Sequence, residues 1–379
     1  MNTMNKPPLW LLILLIMFPQ LVETIYSPAL PDIARFFQVS NERASQTLSV
    51  YFVAFAIGVA LWGWLSDCIG RRPAMMVGLF CYGIGSTIAI VATDFSVLLM
   101  ARMIAAIGAA AGSVVVQTML RDTYESTALA RIFSIMGAAL ALSPVFGLLS
   151  GGWLVGRYGH TSVFIALLSL AIVLFFLTAS LLPETRPENT LKTQISTLVS
   201  RMVRDSTLWS NTVLVALLNT MLFSYYSLAP FLFGKLGSSS STFGWTGLLL
   251  ALASLSGSLL NRHLLQASFT SEQLVRYSCT LALLSSITAW WLQYSAWILI
   301  PVAGVVIAYG IAIPNVLSQA LHHYREQAGT AGALFGLTYY LCIGMLLGLA
   351  GMVQQLGLVL TVCALLAVLI SWYGNLPFK

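Results

Sequence analysis

Twelve acidic residues occur in the chain, and only Glu23 stands inside a long apolar run, between Leu9–Val22 and Tyr26–Pro31. A carboxylate in a bilayer costs several kcal/mol, so such a group is by default a proton or cation site. One basic residue, Arg102, is placed the same way. Both depths follow from helix rise. Glu23 lies about 21 Å past Leu9, which leaves about 9 Å to the far side of a ~30 Å core. Arg102 lies about 9 Å past Ser96, on a segment running the other way. The two charges are therefore expected at similar depth, sensing each other directly or through water. The alternatives are a purely structural ion pair at Glu23, and a structural Arg102 that holds its span through backbone carbonyls.

These charges need a membrane to be meaningful, and composition supplies one. Apolar residues make up 58% of 379 positions and charged residues 8%. Soluble domains carry about 25% charged residues, which excludes a soluble protein. Apolar spans fall near 9–31, 45–65, 74–92, 96–119, 132–155, 161–182, 208–233, 244–262, 274–292, 295–318, 329–352 and 357–374. Each is close to the ~20 residues that cross a bilayer as a helix. The expected fold is an all-α integral membrane protein with twelve transmembrane helices in two pseudo-symmetric bundles. Residues 1–182 form the first six-helix bundle, 183–207 a polar inter-bundle loop and 208–379 the second bundle. The first run shows no small-residue cleavage site, so it reads as an uncleaved span rather than a leader.

Charge asymmetry orients the chain. With both termini in the cytoplasm, thirteen Lys and Arg fall in cytoplasmic segments and four in outer ones, as the positive-inside rule requires. The net charge of +6 therefore reads as topology, not nucleic-acid binding. The five cysteines have no paired spacing and no metal motif. Four of them read as packing residues. His322-His323 reads as a solvated loop, and Trp290, Trp291 and Trp297 as an interfacial belt. No nucleophile constellation, phosphate loop or nucleotide motif supports an enzyme or an ATP-driven pump.

The sharpest local pattern is Gly63-x-Leu65-x-Asp67-x-x-Gly70-Arg71-Arg72-Pro73, in the turn between spans 2 and 3. Its glycines permit close approach and positive φ. Asp67 can accept from backbone donors at a helix N-terminus, and Arg71 can pair with Asp122 at the end of span 4. A partial copy, Gly257-x-Leu259-x-Asn261, follows span 8 at an offset of 194 residues. It suggests duplication of a six-span half. Span 5 carries Gly137, Pro144, Gly147 and Gly151. Such a smooth, bent helix can hinge, slide or seal against a neighbour, or simply pack closely.

With these motifs in place, the chain resembles the major facilitator superfamily. The span-2/3 turn matches that family's motif A. Arg102 with Gly108 and Gly112 is similar to motif B, and the span-5 glycines resemble the antiporter motif C, with Ser143 where Gly is usual. Ser27-Pro28-Ala29-Leu30-Pro31, Leu120-Arg121-Asp122 and Pro183-Glu184-Thr185-Arg186-Pro187 narrow the resemblance to the Bcr/CflA-type drug:proton antiporters. The resemblance is strong over residues 1–190 and thin afterwards. Members of that branch place an Asp four residues before the Pro of the span-1 motif. Here that position is Thr24, and the acid is one residue earlier, about 100° round the helix.

The resemblance implies a proton-coupled multidrug or small-molecule efflux antiporter of the bacterial inner membrane, a monomer that rocks around a central cavity. Its energy source is the proton gradient, with no cofactor and no metal. Glu23 and Arg102 are the proton-coupling candidates. Tyr26, Tyr51, Gln117, Asn219, Phe223, Tyr226 and Tyr339 are candidates for contact with an apolar or cationic substrate. Such aromatic residues also occur as core or lipid-facing groups. Pro314-Asn315 and Tyr340 are further cavity candidates. The alternatives are a dedicated exporter of a siderophore, amino acid or peptide, and a proton-coupled uptake carrier.

Overall fold

The computed structural model describes residues 6–124, 126–187 and 195–373. Two of the thirteen basic residues counted on the cytoplasmic side, Lys192 and Lys379, lie outside them. The described chain is nearly all helix: α1 Leu9–Tyr26, α2 Leu30–Phe36, α3 Asn41–Ile69, α4 Arg71–Val91, α5 Phe95–Thr123, α6 Ser126–Tyr158, α7 Thr161–Leu181, α8 Ile195–Val203, α9 Ser206–Lys235, α10 Ser240–Gln266, α11 Ser271–Trp291, α12 Leu299–Ala320, α13 Ala328–Val353 and α14 Leu356–Tyr373. Among the described residues, 11 crossings are long and apolar enough to span a bilayer, with α1 and α2 forming one of them.

The twelfth crossing is α11. Its apolar signal is diluted by hydroxyl residues that bond to their own helix. Ser278 donates to the Val275 carbonyl, Thr280 to Arg276 and Thr288 to Leu284. The helix packs between α12 and α14, so it sits in the bundle like the others.

Helix ends run past the apolar windows because polar caps close them. Ser40 accepts from the Arg43 amide at the start of α3, and Asp94 from Ser96 at α5. Asp205 accepts from Thr207 and Leu208 at α9. Each satisfies backbone donors that a helix start leaves unpaired. The segment 183–207, expected as loop throughout, contains α8. Leu198 and Met202 are buried one turn apart, and the helix packs on α9 and α13. Four-residue spacing on a short mixed segment escapes a search for long apolar runs.

Prolines shape the first crossing. Pro28 and Pro31 have no N–H to give to Thr24 and Ser27. The chain tightens into a 3₁₀ turn at Ser27–Ala29, where the Leu30 amide bonds the Ser27 carbonyl.

α1 and α3–α7 pack among themselves, as do α9–α14. The two sets meet along α3 with α13 and along α6 with α10. One end of the molecule carries Arg71, Arg72 and Arg186 and is here called the basic face. At the other end the halves are joined by hydroxyl bonds to backbone. Ser49 donates to Gly344 (2.7 Å) and Ser241 to Gly152 (3.1 Å). Gln354 donates to Ser45 (3.0 Å).

Glycines set the close crossings. A side chain at Gly58 would lie 2.8 Å from the Ala110 Cβ and 2.9 Å from the Ile107 carbonyl. Gly257 meets Ile307 and Gly310 in the same way. Ile107 and Ile307 are 200 residues apart, as are Ala110 and Gly310, and Gly58 and Gly257 differ by 199. The packing repeat therefore runs near 200, not at the 194 of the Gly-x-Leu pattern. Gly63 faces Ala333 of α13 instead, a contact between halves with no counterpart at Gly257. Gly137 departs from expectation too: nothing lies within 4 Å of a Cβ there, so it makes no close approach in this conformation.

A bulkier residue should thus be costly at one glycine and harmless at another. Gly58→Val is expected to cost about 1–3 kcal/mol through overpacking. Gly137→Ala should melt within a degree or two of the parent protein in detergent. Equal losses in the two variants would contradict this packing.

Candidate functional site between the helical halves

Glu23 occupies the last turn of α1 and is only 4% exposed. No ion pair or hydrogen bond to its carboxylate is made among the described residues. Its charge reaches Tyr51 of the first half and Tyr226, Tyr309, Tyr339 and Tyr340 of the second. The side chain therefore points between the halves and not at lipid.

The neighbouring position faces elsewhere. A Cβ added at Gly147 would run into the Thr24 side chain, so Thr24 packs against α6, and its hydroxyl donates to the Gln20 carbonyl at 2.8 Å. An acid at position 24 would be turned toward α6. Position 23 is the one aimed at the other half.

Arg102 is 2% exposed and does not pair directly with Glu23. Its guanidinium carbon sits 4.0 Å from the Tyr26 ring centre and 4.4 Å from that of Tyr51. Its charge acts on Glu23 across space. Cation–π contact of this kind stabilises a desolvated guanidinium by about 2 kcal/mol or more. It leaves Nε and one terminal nitrogen without a hydrogen-bond partner among the described residues. Tyr26 and Tyr51 are consequently walled in, at 0% exposure. Expected as substrate contacts, they instead hold Arg102 between their two aromatic faces.

The remaining candidates divide: Phe223 and Tyr226, expected as substrate contacts, are buried in aromatic packing, and three others lie nearer to open space. Gln117, Asn219 and Tyr339 retain partial exposure deep in the fold, as do Tyr309 and Tyr340. Asn219 donates to the Val215 carbonyl (2.8 Å) and accepts from the Tyr309 hydroxyl (3.0 Å). Phe223 meets Phe52 across the halves with ring centres 4.4 Å apart, and Tyr226 packs edge-on to Phe223. Tyr340 bridges back to Phe52 and Phe55. Phe52, Phe223 and Tyr340 thus join α3, α9 and α13 in an aromatic wall beside one carboxylate. Tyr309 was not singled out in the sequence. Its signal was an aromatic hydroxyl in the middle of an apolar span.

At the basic face, Arg71 donates from Nε to Asp122 (2.9 Å) and from Nη1 to Ser66 (3.1 Å), and it pairs with Asp67. The role expected of Asp67 toward backbone donors belongs to Glu184. Its carboxylate accepts from the Arg71 amide (2.9 Å) and the Arg72 amide (3.2 Å) at the start of α4. Arg186 donates to the Cys68 carbonyl (2.7 Å) and Arg72 to that of Ala179. The segment after α7 is thereby fastened to the turn. Gly70 has φ +105°, and a Cβ there would meet the Glu184 carboxylate, so both backbone and space require glycine.

Gly151 lies against the Ile25 backbone, and Pro144 is buried within α6. His322 and His323 are exposed, and no metal-ligand cluster occurs among the described residues. In the second half, Asn315 of α12 donates to Asn261 of α10 at 2.7 Å.

The sequence profile of the Major Facilitator Superfamily matches residues 12–349. An uncharacterized transporter from Rickettsia bellii is 30% identical over 361 residues, covering 90% of this chain and 89% of its own. Multidrug resistance protein D of Escherichia coli K12 is 29% identical over 384 residues, covering 96% and 95%. A crystal structure of a D-xylose-proton symporter superposes with a TM-score of 0.79 at 16% identity, over 96% of both chains. That likeness is one of fold alone.

The Arg71 network ranks its two carboxylates. The Asp122 side chain is 14% exposed and that of Asp67 54%. Removing one partner of a buried pair costs about 3–5 kcal/mol, while an exposed pair contributes about 1 kcal/mol or less. Asp122→Ala should therefore lower the melting temperature in detergent well beyond Asp67→Ala. The reverse order would contradict this ranking.

Proposed function

Since the chain belongs to the major facilitator superfamily, we propose that this multi-pass membrane transporter is a proton-coupled exporter of small apolar or cationic molecules, and that proton and cargo compete for Glu23. The observation that carries the reading is a buried carboxylate, aimed between the two halves, with no fixed ion-pair partner. The names of multidrug-resistance relatives add support for efflux. We place the protein in a bacterial inner membrane as a monomer, with the basic face in the cytoplasm, on the distribution of Lys and Arg.

Ionised, Glu23 attracts a cation; protonated, it does not. Binding of one therefore disfavours the other, and such competition is reciprocal. Arg102, held over Tyr26 and Tyr51, sets a fixed positive field near the acid. Tyr339 and Tyr340, partly exposed beside the buried Phe52–Phe223 contact, give apolar and cationic rings a surface, and Asn219 with Tyr309 gives a polar anchor. With the opposite end closed by hydroxyl bonds, cargo enters from the basic face. Rocking of the halves exposes Glu23 to the acidic side, where a proton replaces the cargo. Exchange of one proton for one monovalent cation moves no net charge. Export of a neutral compound moves one, worth about 2.3 kcal/mol per 100 mV.

Glu23→Gln is isosteric and cannot exchange a proton. In everted vesicles with an acidified lumen and a fluorescent cationic dye in the bath, the parent protein should take up dye faster as the pH gradient steepens. The variant should insert normally yet show no response to the gradient. Undiminished gradient-driven transport by Glu23→Gln would remove this residue from the mechanism.

A further inference from the structure

We propose that Ser27 is a positioning residue for transport: its hydroxyl, bonded to the Tyr226 backbone carbonyl, latches the helix of the coupling acid to the second half and holds the opposite face closed.

The bond spans the halves at 2.6 Å, with Ser27 at 0% exposure. Its acceptor is available for a definite reason. The natural partner of the Tyr226 carbonyl in α9 is the amide of residue 230. That residue is Pro230, which has no N–H. A buried carbonyl without a donor is costly, and Ser27 supplies the donor from the other half. The serine lies at a soft point, because Pro28 and Pro31 have already stripped the local helix of its regular bonds.

The latch sits one turn from the acid. Glu23, Tyr26 and Ser27 occupy positions i, i+3 and i+4 of one turn and share a side of the chain. Tyr26 carries the Arg102 guanidinium, and Tyr226 lies within reach of the Glu23 charge. A change of charge at Glu23 thus acts on the turn that holds the latch. The sequence marks the spot: Tyr26-Ser27-Pro28-Ala29 and Tyr226-Ser227-Leu228-Ala229 are copies 200 residues apart. Only one copy latches. The Ser227 hydroxyl is buried and has no partner among the described residues, so the bond runs one way across the pseudo-symmetry axis.

The test uses full-length protein in membrane vesicles, with the native cysteines replaced and one reporter cysteine placed at Phe223, below the latch. A membrane-impermeant maleimide is applied from the side opposite the basic face. Ser27→Ala should raise the labelling rate about fivefold, the size of one lost hydrogen bond. Ser27→Thr, which keeps the hydroxyl, and Ser227→Ala should label at the parent rate. Pro230→Ala returns an amide to Tyr226 and should raise labelling as Ser27→Ala does, a second route should that variant fold poorly. Without the reporter, Ser27→Ala should also shift the pH midpoint of dye transport, which Ser27→Thr should leave in place. Parent-like labelling by both Ser27→Ala and Pro230→Ala would overturn the latch, as would an equal rise in Ser227→Ala. Only the pH arm rests on Glu23 as the shared acid. Should Glu23→Gln remain gradient-driven, the labelling arm still decides whether the latch exists.

Discussion

A carboxylate left without a dedicated partner in the middle of a membrane protein is the constraint around which this structure is arranged. The molecule holds two kinds of buried charge. Arg71 is fully engaged, bonded to Asp122 and Ser66 and paired with Asp67. Glu23 has no such fixed contact. A paired group contributes to one conformation, whereas an unpaired one stays free to bind a proton or a cation as the structure around it changes. Arg102 shows how the two are kept apart. Two tyrosine rings occupy its guanidinium, so its field reaches Glu23 without neutralising it in an ion pair.

Backbone carbonyls freed by proline recur where helices must both fit and move. Pro19 frees the Leu15 carbonyl, and Gly112 of α5 lies directly against it. Pro230 frees Tyr226, and Ser27 bonds to it. In both places a defect in one helix becomes a contact for another. At the face opposite the basic one, close packing of Gly152 on Gly244 and of Gly344 on Val53 is joined by single hydroxyl or amide donors on backbone or serine acceptors, each worth about 1 kcal/mol net. The hydrogen-bonded part of this closure is firm as a set and releasable one bond at a time. The basic face differs: Glu184, Arg186 and Arg72 fasten the turn between α3 and α4 within one half, so it moves as a unit with that half.

Much of this was legible in the sequence, for reasons of composition. Spans follow from apolar runs, and Glu23 stood out because it was alone. The Arg71–Asp122 pair followed from motif spacing. What escaped was set by tertiary contact. Glu184 caps α4 from 113 positions away, and no local pattern announces that. Tyr26 and Tyr51 read as cavity residues because nothing in their own helices shows Arg102 between them. The repeat was read at 194 from matching letters, while packing places it at 200 through Ile107 and Ile307. Small residues at α3 and α10 serve different neighbours, so letters alone chose the wrong register.

Proton counting tests the central claim most directly. Purified protein in weakly buffered detergent, at a pH where Glu23 is partly protonated, is mixed with a cationic substrate and the pH change is followed. Competition for one carboxylate predicts release of up to one proton per cation bound, and none from Glu23→Gln. Cation binding with no proton release, or equal release from parent and variant, would contradict the account.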